Sequence, residues 1–203
     1  MVKVRIFVEG ATRGPDSKNL QVALREAFAK LLIEGRSSRS PKFIPAGSRG
    51  NAYKLFNTAH AYSDAGEFVA LLVDSEEAVA DIEKTWLHLK ARDGWNKPKG
   101  ANDEQVLLMT TCMETWIVSD RDALRKYYGS TLQENALPPL HDMESRTRHT
   151  IQDALAHATR DCKNAFEKGK HSFAVLKQLR PAELRKHLPS FVRCERVLKA
   201  QLS

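Results

Sequence analysis

Residues 68–77 read FVALLVDSEE. An apolar run from Phe68 to Val73 stops abruptly at Asp74, Ser75, Glu76 and Glu77. A short, β-rich apolar run bounded by polar residues predicts a strand buried on both faces, as inside a parallel sheet. In open parallel α/β sheets the ligand site lies just beyond the carboxyl ends of the strands. Asp74 and Glu76 therefore fall at the mouth of the sheet, two carboxylates one residue apart. A plainer reading makes Asp74 the cap of a helix starting near Glu76, with Glu76 and Glu77 favouring the positive end of its dipole. On this stretch alone both readings stand.

Upstream, residues 2–8 (VKVRIFV) form a strand that stops at Glu9-Gly10. Residues 11–16 read as a loop, with Asp16 or Ser17 placed to cap a helix. Leu20, Leu24, Ala27, Phe28 and Leu31 then follow helical spacing, and Gly35 supplies a stop. Residues 37–40 are a linker, residues 42–46 a second strand ending in Gly47-Ser48-Arg49-Gly50, and residues 52–62 a second helix. Downstream, residues 77–90 are predicted as a third helix, with Val79, Ile82, Trp86 and Leu89 on one face. A polar loop over 91–103 leads to a fourth strand, 105–111, and a helix over 113–127 closed by Gly129.

The order βαβαβαβ followed by a helix is the pattern of an α/β fold: a mostly parallel four-stranded sheet flanked by helices. After Gly129 the pattern changes. Helical segments near 145–166, 172–179, 182–187 and 191–202 carry no convincing strand. The expected organisation is an α/β domain over 1–129 and a basic helical C-terminal extension over 130–203 packed on it.

Charge divides the same way. The formal net charge is +7; residues 1–120 hold 16 Lys/Arg and 16 Asp/Glu, whereas residues 121–203 hold 16 and 9, so the whole excess is C-terminal. A concentrated basic region is the electrostatic footprint of a polyanion binder, nucleic acid foremost, although basic helices are also ordinary solvated surfaces. Three widely spaced cysteines, with no CxxC or Cys/His cluster, indicate neither a disulfide framework nor a zinc site. No signal-peptide pattern or membrane-length apolar run is present, so the expected setting is cytoplasmic, without a membrane partner.

Three strand ends each offer an acid. Glu9 closes the first, Asp74 and Glu76 the third, and Glu114 follows the fourth in Cys112-Met113-Glu114-Thr115-Trp116. In a parallel sheet these ends share one edge, where converging carboxylates repel unless a cation neutralises them. An all-oxygen donor set suits Mg²⁺ or Mn²⁺. For Glu9 a hydrogen-bonded turn, and for Glu114 a favourable place in the first turn of a helix, are the structural alternatives.

A lone Glu-Gly after the first strand and an Asp-x-acid after the third resemble the Toprim (topoisomerase–primase) domain, whose signature is a Glu on one strand and Asp-x-Asp on another. Here the third acid is Glu76, which keeps the charge and lengthens the arm. The ordered set Val8-Glu9-Gly10, Asp16-Ser17-Lys18, Gly47-Ser48-Arg49, Leu72-Val73-Asp74-Ser75-Glu76, Trp86-x-His88-Leu89, Asp93-Gly94-Trp95, Met113-Glu114-x-Trp116 and Lys168-Gly169-x-His171-Ser172 spans nearly the whole chain. It resembles a family of small standalone Toprim-like proteins of prokaryotes, related to the RloB-like and overcoming-lysogenisation-defect nucleases. The resemblance implies a Mg²⁺ (or Mn²⁺) site at Glu9, Asp74 and Glu76, with Glu114 as an extra acid. It also implies an ATPase partner encoded nearby, in phage-defence loci.

The expected function is a metal-dependent nuclease acting on DNA or RNA, with the four acids catalytic and self-association open. The alternative is a non-catalytic regulatory subunit of an ATPase complex, with the acids merely capping. A haloacid-dehalogenase-like phosphatase is disfavoured, because its nucleophile follows the first strand, where this chain has a single Glu. Lys18 at the first helix and Arg49 after the second strand are candidate phosphate contacts at the sheet edge; for Arg49 a carboxylate contact is equally in view. Lys168, Lys170 and His171 in the basic tail are further candidates for nucleic-acid binding. Trp86, Trp95 and Trp116 read as core or loop anchors rather than base-stacking platforms.

Overall fold

The computed structural model describes residues 3–10, 17–33, 41–167 and 171–202. The loop over 11–16 with Asp16, the stop at Gly35, the linker over 37–40, and Lys168 and Lys170 lie outside the described residues.

Four strands build one sheet: β1 (Lys3–Glu9), β2 (Lys42–Gly47), β3 (Glu67–Asp74) and β4 (Val106–Met109). Their order is β2-β1-β3-β4, and every pairing is parallel. The sheet is thus α/β and all-parallel, with β3 interior. Its alternation explains the unbroken apolar run that announced it. Phe68, Ala70 and Leu72 enter the core on one face, and Val69, Leu71 and Val73 the core on the other. β1 divides likewise, Val4, Ile6 and Val8 against Phe7. Crossovers between parallel strands require helices on both faces, so both sets of side chains are covered.

On one face lie α2 (Arg49–Ala61) and α3 (Thr85–Asp93), which bury Ala52, Phe56, Trp86 and Leu89. On the other lie α1 (Ser17–Leu32), α4 (Met113–Ser119), α5 (Arg121–Tyr128), α6 (Arg148–Thr159), α7 (Ser172–Leu176), α8 (Pro181–His187) and α9 (Pro189–Leu202). The helices after Gly129 share one hydrophobic cluster with β4 and α1. Trp116 on α4 meets Phe28 at 6.4 Å and Phe191 of α9 at 5.0 Å, both edge-on. Arg193 of α9 is buried and donates to the carbonyls of Val106 at 2.8 Å and Asp103 at 2.7 Å.

Four predicted helices differ. The helix expected over 77–90 starts only at Thr85. Residues 77–84 are irregular with one turn at Ile82–Glu83, held by the Glu83 N–H on Asp81 at 2.9 Å and by Ser75 Oγ, which donates to the Glu77 carbonyl at 2.6 Å. The start of α3 is fixed from elsewhere in the chain. Asp103 accepts the Trp86 N–H at 2.8 Å and the Thr85 hydroxyl at 3.2 Å, a cap supplied across the loop. The helix expected over 113–127 is two, α4 and α5, broken at Asp120, whose side chain caps α5 through the Ala123 N–H at 3.1 Å. The segments expected over 145–166 and 172–179 are shortened to α6 and α7.

Candidate metal centre

The acids reach the sheet mouth by backbone geometry. β1 shifts register between Val8 and Glu9, and Gly10 follows at φ 121°, a conformation that favours glycine. Gly10 and Gly47 exchange both backbone hydrogen bonds, at 2.7 and 3.1 Å, which tie off β1 against β2 directly after Glu9. On β3 the pairing with β4 runs one step past the strand, with the Ser75 N–H donating to the Met109 carbonyl at 3.0 Å. Glu76 then takes φ 69°, uncommon for a residue with a side chain, and its N–H donates to the Thr111 carbonyl at 2.7 Å. Left-handed backbone at a non-glycine residue costs roughly 1–3 kcal/mol and is retained where surroundings over-determine it.

These turns bring Glu9, Asp74 and Glu76 together: each offers an oxygen, and the three lie within 4.8 Å of one another. Oxygens on opposite sides of a hard divalent ion lie about 4–5 Å apart, so one ion suits this spacing. All three donors are carboxylate oxygens, as Mg²⁺, Mn²⁺ or Ca²⁺ prefer. Asp74 also acts as a cap, though not of a helix starting near Glu76. No helix starts there. Its Oδ1 accepts the Met113 N–H at 2.8 Å and so caps α4 across the sheet edge.

Glu114 is fully buried in the first turn of α4 and is not one of the three. Its Oε2 accepts from Gln152 Nε2 at 3.1 Å, and its Oε1 has no hydrogen-bond partner. An orphaned buried carboxylate oxygen is costly unless something occupies its vicinity. Burial, then the charges of Glu114 and Asp74, push the Cys112 thiol up to about 12, so Cys112 is an inert neutral neighbour.

Cationic side chains frame the acids. Glu76 is ion-paired with Arg148 of α6 and, at 3.6 Å, with Arg92 of α3, both at the same oxygen. Arg92 also pairs with Asp93, which in turn pairs with Arg49. Arg49, the first residue of α2 rather than part of a loop, donates from Nε to the Asp74 carbonyl at 3.0 Å and lies 4.5 Å over the Trp95 ring. Trp95 stacks on Tyr53 at 4.3 Å. His88 Nε2 sits 3.0 Å from the Ser75 carbonyl. Arg49 of α2, His88 and Arg92 of α3 and Arg148 of α6 therefore hold the Asp74–Glu76 turn between them.

Among the described residues, Lys18 and His171 have no contact with this network. Lys18 is exposed in the first turn of α1. His171 precedes α7, and its Nδ1 is 3.1 Å from the Tyr127 hydroxyl. Trp86 and Trp116 are core, and Trp95 is a loop anchor, as expected. The sequence reading missed Arg92, Arg148 and Gln152. A signal was available for the last two: they stand four residues apart, hence on one helix face, and α6 opens with Arg148 and no acid in its first turn, against the dipole preference.

A family model described as a domain of unknown function (DUF4276) matches residues 8–199, a span that includes all four acids. No curated protein and no solved structure matches the chain. Among the described residues no helix is long and apolar enough to cross a membrane.

Proposed function

The chain belongs to the DUF4276 family, and from that premise we propose that its acid cluster is a Toprim-like Mg²⁺ or Mn²⁺ centre that cleaves phosphodiester bonds in nucleic acid. The observation that carries the reading is the convergence of Glu9, Asp74 and Glu76, from the carboxyl ends of two adjacent parallel strands, to within 4.8 Å. Those three would hold the ion, with buried Glu114 behind them as the extra acid. A divalent cation bound there supplies Lewis-acid polarisation of a phosphoryl oxygen and a water of lowered pKa. The chain's own residues do the positioning. The Met113 N–H orients the Asp74 carboxylate, and Arg49 fixes its backbone through the carbonyl. The C-terminal excess of cations supplies the field that attracts a polyanion, with Lys18, Lys168, Lys170 and His171 as its contacts. An ATPase partner and self-association, in an antiviral setting, belong to the same proposal and rest on the resemblance alone.

The test is direct. Purified protein with Mg²⁺ or Mn²⁺, alone or with an ATPase encoded beside it, should cut DNA or RNA, and Asp74→Ala should abolish cutting. Cleavage unchanged in Asp74→Ala would sink the reading.

One observation favours a second reading, that of a non-catalytic subunit docking on an ATPase. Arg92 and Arg148 both pair with Glu76 and supply it with counter-charge from the chain itself. Under that reading calorimetry detects no Mn²⁺ binding, and Asp74→Ala lowers only the melting temperature.

A further inference from the structure

Arg148 sits where elementary helix electrostatics disfavours it. It is the first residue of α6, directly after the Thr147 cap, and no acid follows in that turn. A cation at a helix N-terminus opposes the dipole, whereas an anion is welcomed there. What offsets the arrangement is the Glu76 carboxylate, which receives Arg148 and, from the opposite wall, Arg92 at 3.6 Å. Two guanidiniums from different elements, converging on one oxygen, form a clamp built for an oxyanion. Glu76 is held on that clamp by a backbone turned to φ 69°. The same carboxylate also offers an oxygen to the cluster with Glu9 and Asp74. A divalent cation at that cluster would compete with the two arginines for the Glu76 charge.

We propose that Arg92 and Arg148 are the phosphoryl-binding pair of this site, and that Glu76 masks them until a divalent cation draws its charge away. The inference rests on the metal reading for its trigger and on the ion pairs alone for the clamp. In this pairing Glu76 takes the place of a phosphate oxygen. Once a cation compensates Glu76, the Arg148 guanidinium and the Nη2 edge of Arg92 face the site without their carboxylate, while Nη1 of Arg92 stays on Asp93. A phosphodiester then takes the place of the carboxylate, because planar guanidinium donors match two phosphate oxygens as well as they match a carboxylate. Asp93, paired with Arg92 and Arg49, keeps the Arg92 side chain near the site throughout. Cation and substrate binding are thereby coupled: each favours the other, as linkage requires.

The clamp can be tested without any metal, by fluorescence anisotropy with a labelled single-stranded DNA oligonucleotide in EDTA at fixed ionic strength. Glu76→Gln should bind the oligonucleotide roughly tenfold more tightly than wild type, the scale of a charge-assisted hydrogen-bond pair. Glu77→Gln makes the same charge change on an exposed neighbour and should move affinity by less than about twofold. Adding Arg148→Gln to Glu76→Gln should cancel the gain. If Glu76→Gln fails to fold, Glu76→Gly serves, since glycine accepts the left-handed backbone, and the same gain is expected. A Glu76 variant no tighter than Glu77→Gln, or a gain that survives Arg148→Gln, overturns the proposal. Mn²⁺ calorimetry on wild type reads the metal centre separately: absence of binding there removes the trigger and the nuclease reading, while a metal-free gain in Glu76→Gln would still establish the clamp.

Discussion

Asp74 Oδ1 accepts the Met113 N–H at 2.8 Å while the same side chain joins Glu9 and Glu76 in the cluster, so capping and ligation coexist in one residue. Truncation to alanine therefore mixes two losses, about 1 kcal/mol of helix cap and the donor itself. Asp74→Asn separates them, because an amide oxygen still accepts the N–H but brings no charge. A second carboxylate makes a prediction of its own. Burial pushes Glu144 up to about 7, against the bonds from the Ser190 N–H at 3.0 Å and hydroxyl at 2.5 Å, which favour the ionised form. Its folded value lies above its ordinary value of 4.5, so folding favours the protonated acid. The sign follows: its contribution is fullest below about 4.5 and declines as pH rises through about 7. Glu144→Gln should flatten the fall in melting temperature between pH 5 and pH 8 by several degrees; an equally steep fall in the variant contradicts the assignment. At this scale Glu9, Asp74 and Glu76 were legible because each ends an apolar strand. Arg92 and Arg148 were not, because nothing local to either shows that two distant elements close on one oxygen.

Elements were legible where burial alone decides them. β3 declares itself by apolar continuity, and the four strands emerge in the order the pattern gives. Two of the differing helix boundaries are set by acids. The start of α3 is set by Asp103, and the break between α4 and α5 by Asp120, which no helical periodicity reveals. Asp120 is fully buried and accepts Arg180 at its N–H (2.9 Å), Nε (3.0 Å) and Nη2 (2.6 Å), in addition to the Ala123 N–H. Burial opposes its charge, but these bonds win and hold its carboxyl below the usual range. Its contribution is complete above its ordinary value and is lost as pH falls through the lowered one. Asp120→Ala should cost about 1–2 kcal/mol, since it removes the α5 cap at the buried Ala123 N–H and the partner of the exposed Arg180 side chain. Denaturant melts would show this as a lower midpoint, and an unchanged midpoint would contradict the role.

At the scale of the molecule, an all-parallel sheet sets the acids on one edge and leaves the basic C-terminal half to wrap the face behind them. That half also supplies Arg148 and Gln152, the partners of Glu76 and Glu114. The charge asymmetry was visible in the sequence, but its closeness to the acids depended on how α6 packs. Phe191, Cys194, Val197 and Leu198 of α9 complete the core beneath Trp116. A chain ending at Leu188 should therefore lose cooperative thermal unfolding, and a sharp native-like transition in that truncation would contradict the shared core. The central claim, that the sheet mouth is a divalent metal centre, is tested most directly by Mn²⁺ titration calorimetry on wild type and Asp74→Asn, with melting temperature measured alongside. The account predicts saturable binding to wild type that falls at least about tenfold in Asp74→Asn with little change in melting temperature. No binding to wild type, or equal binding to both, would contradict it.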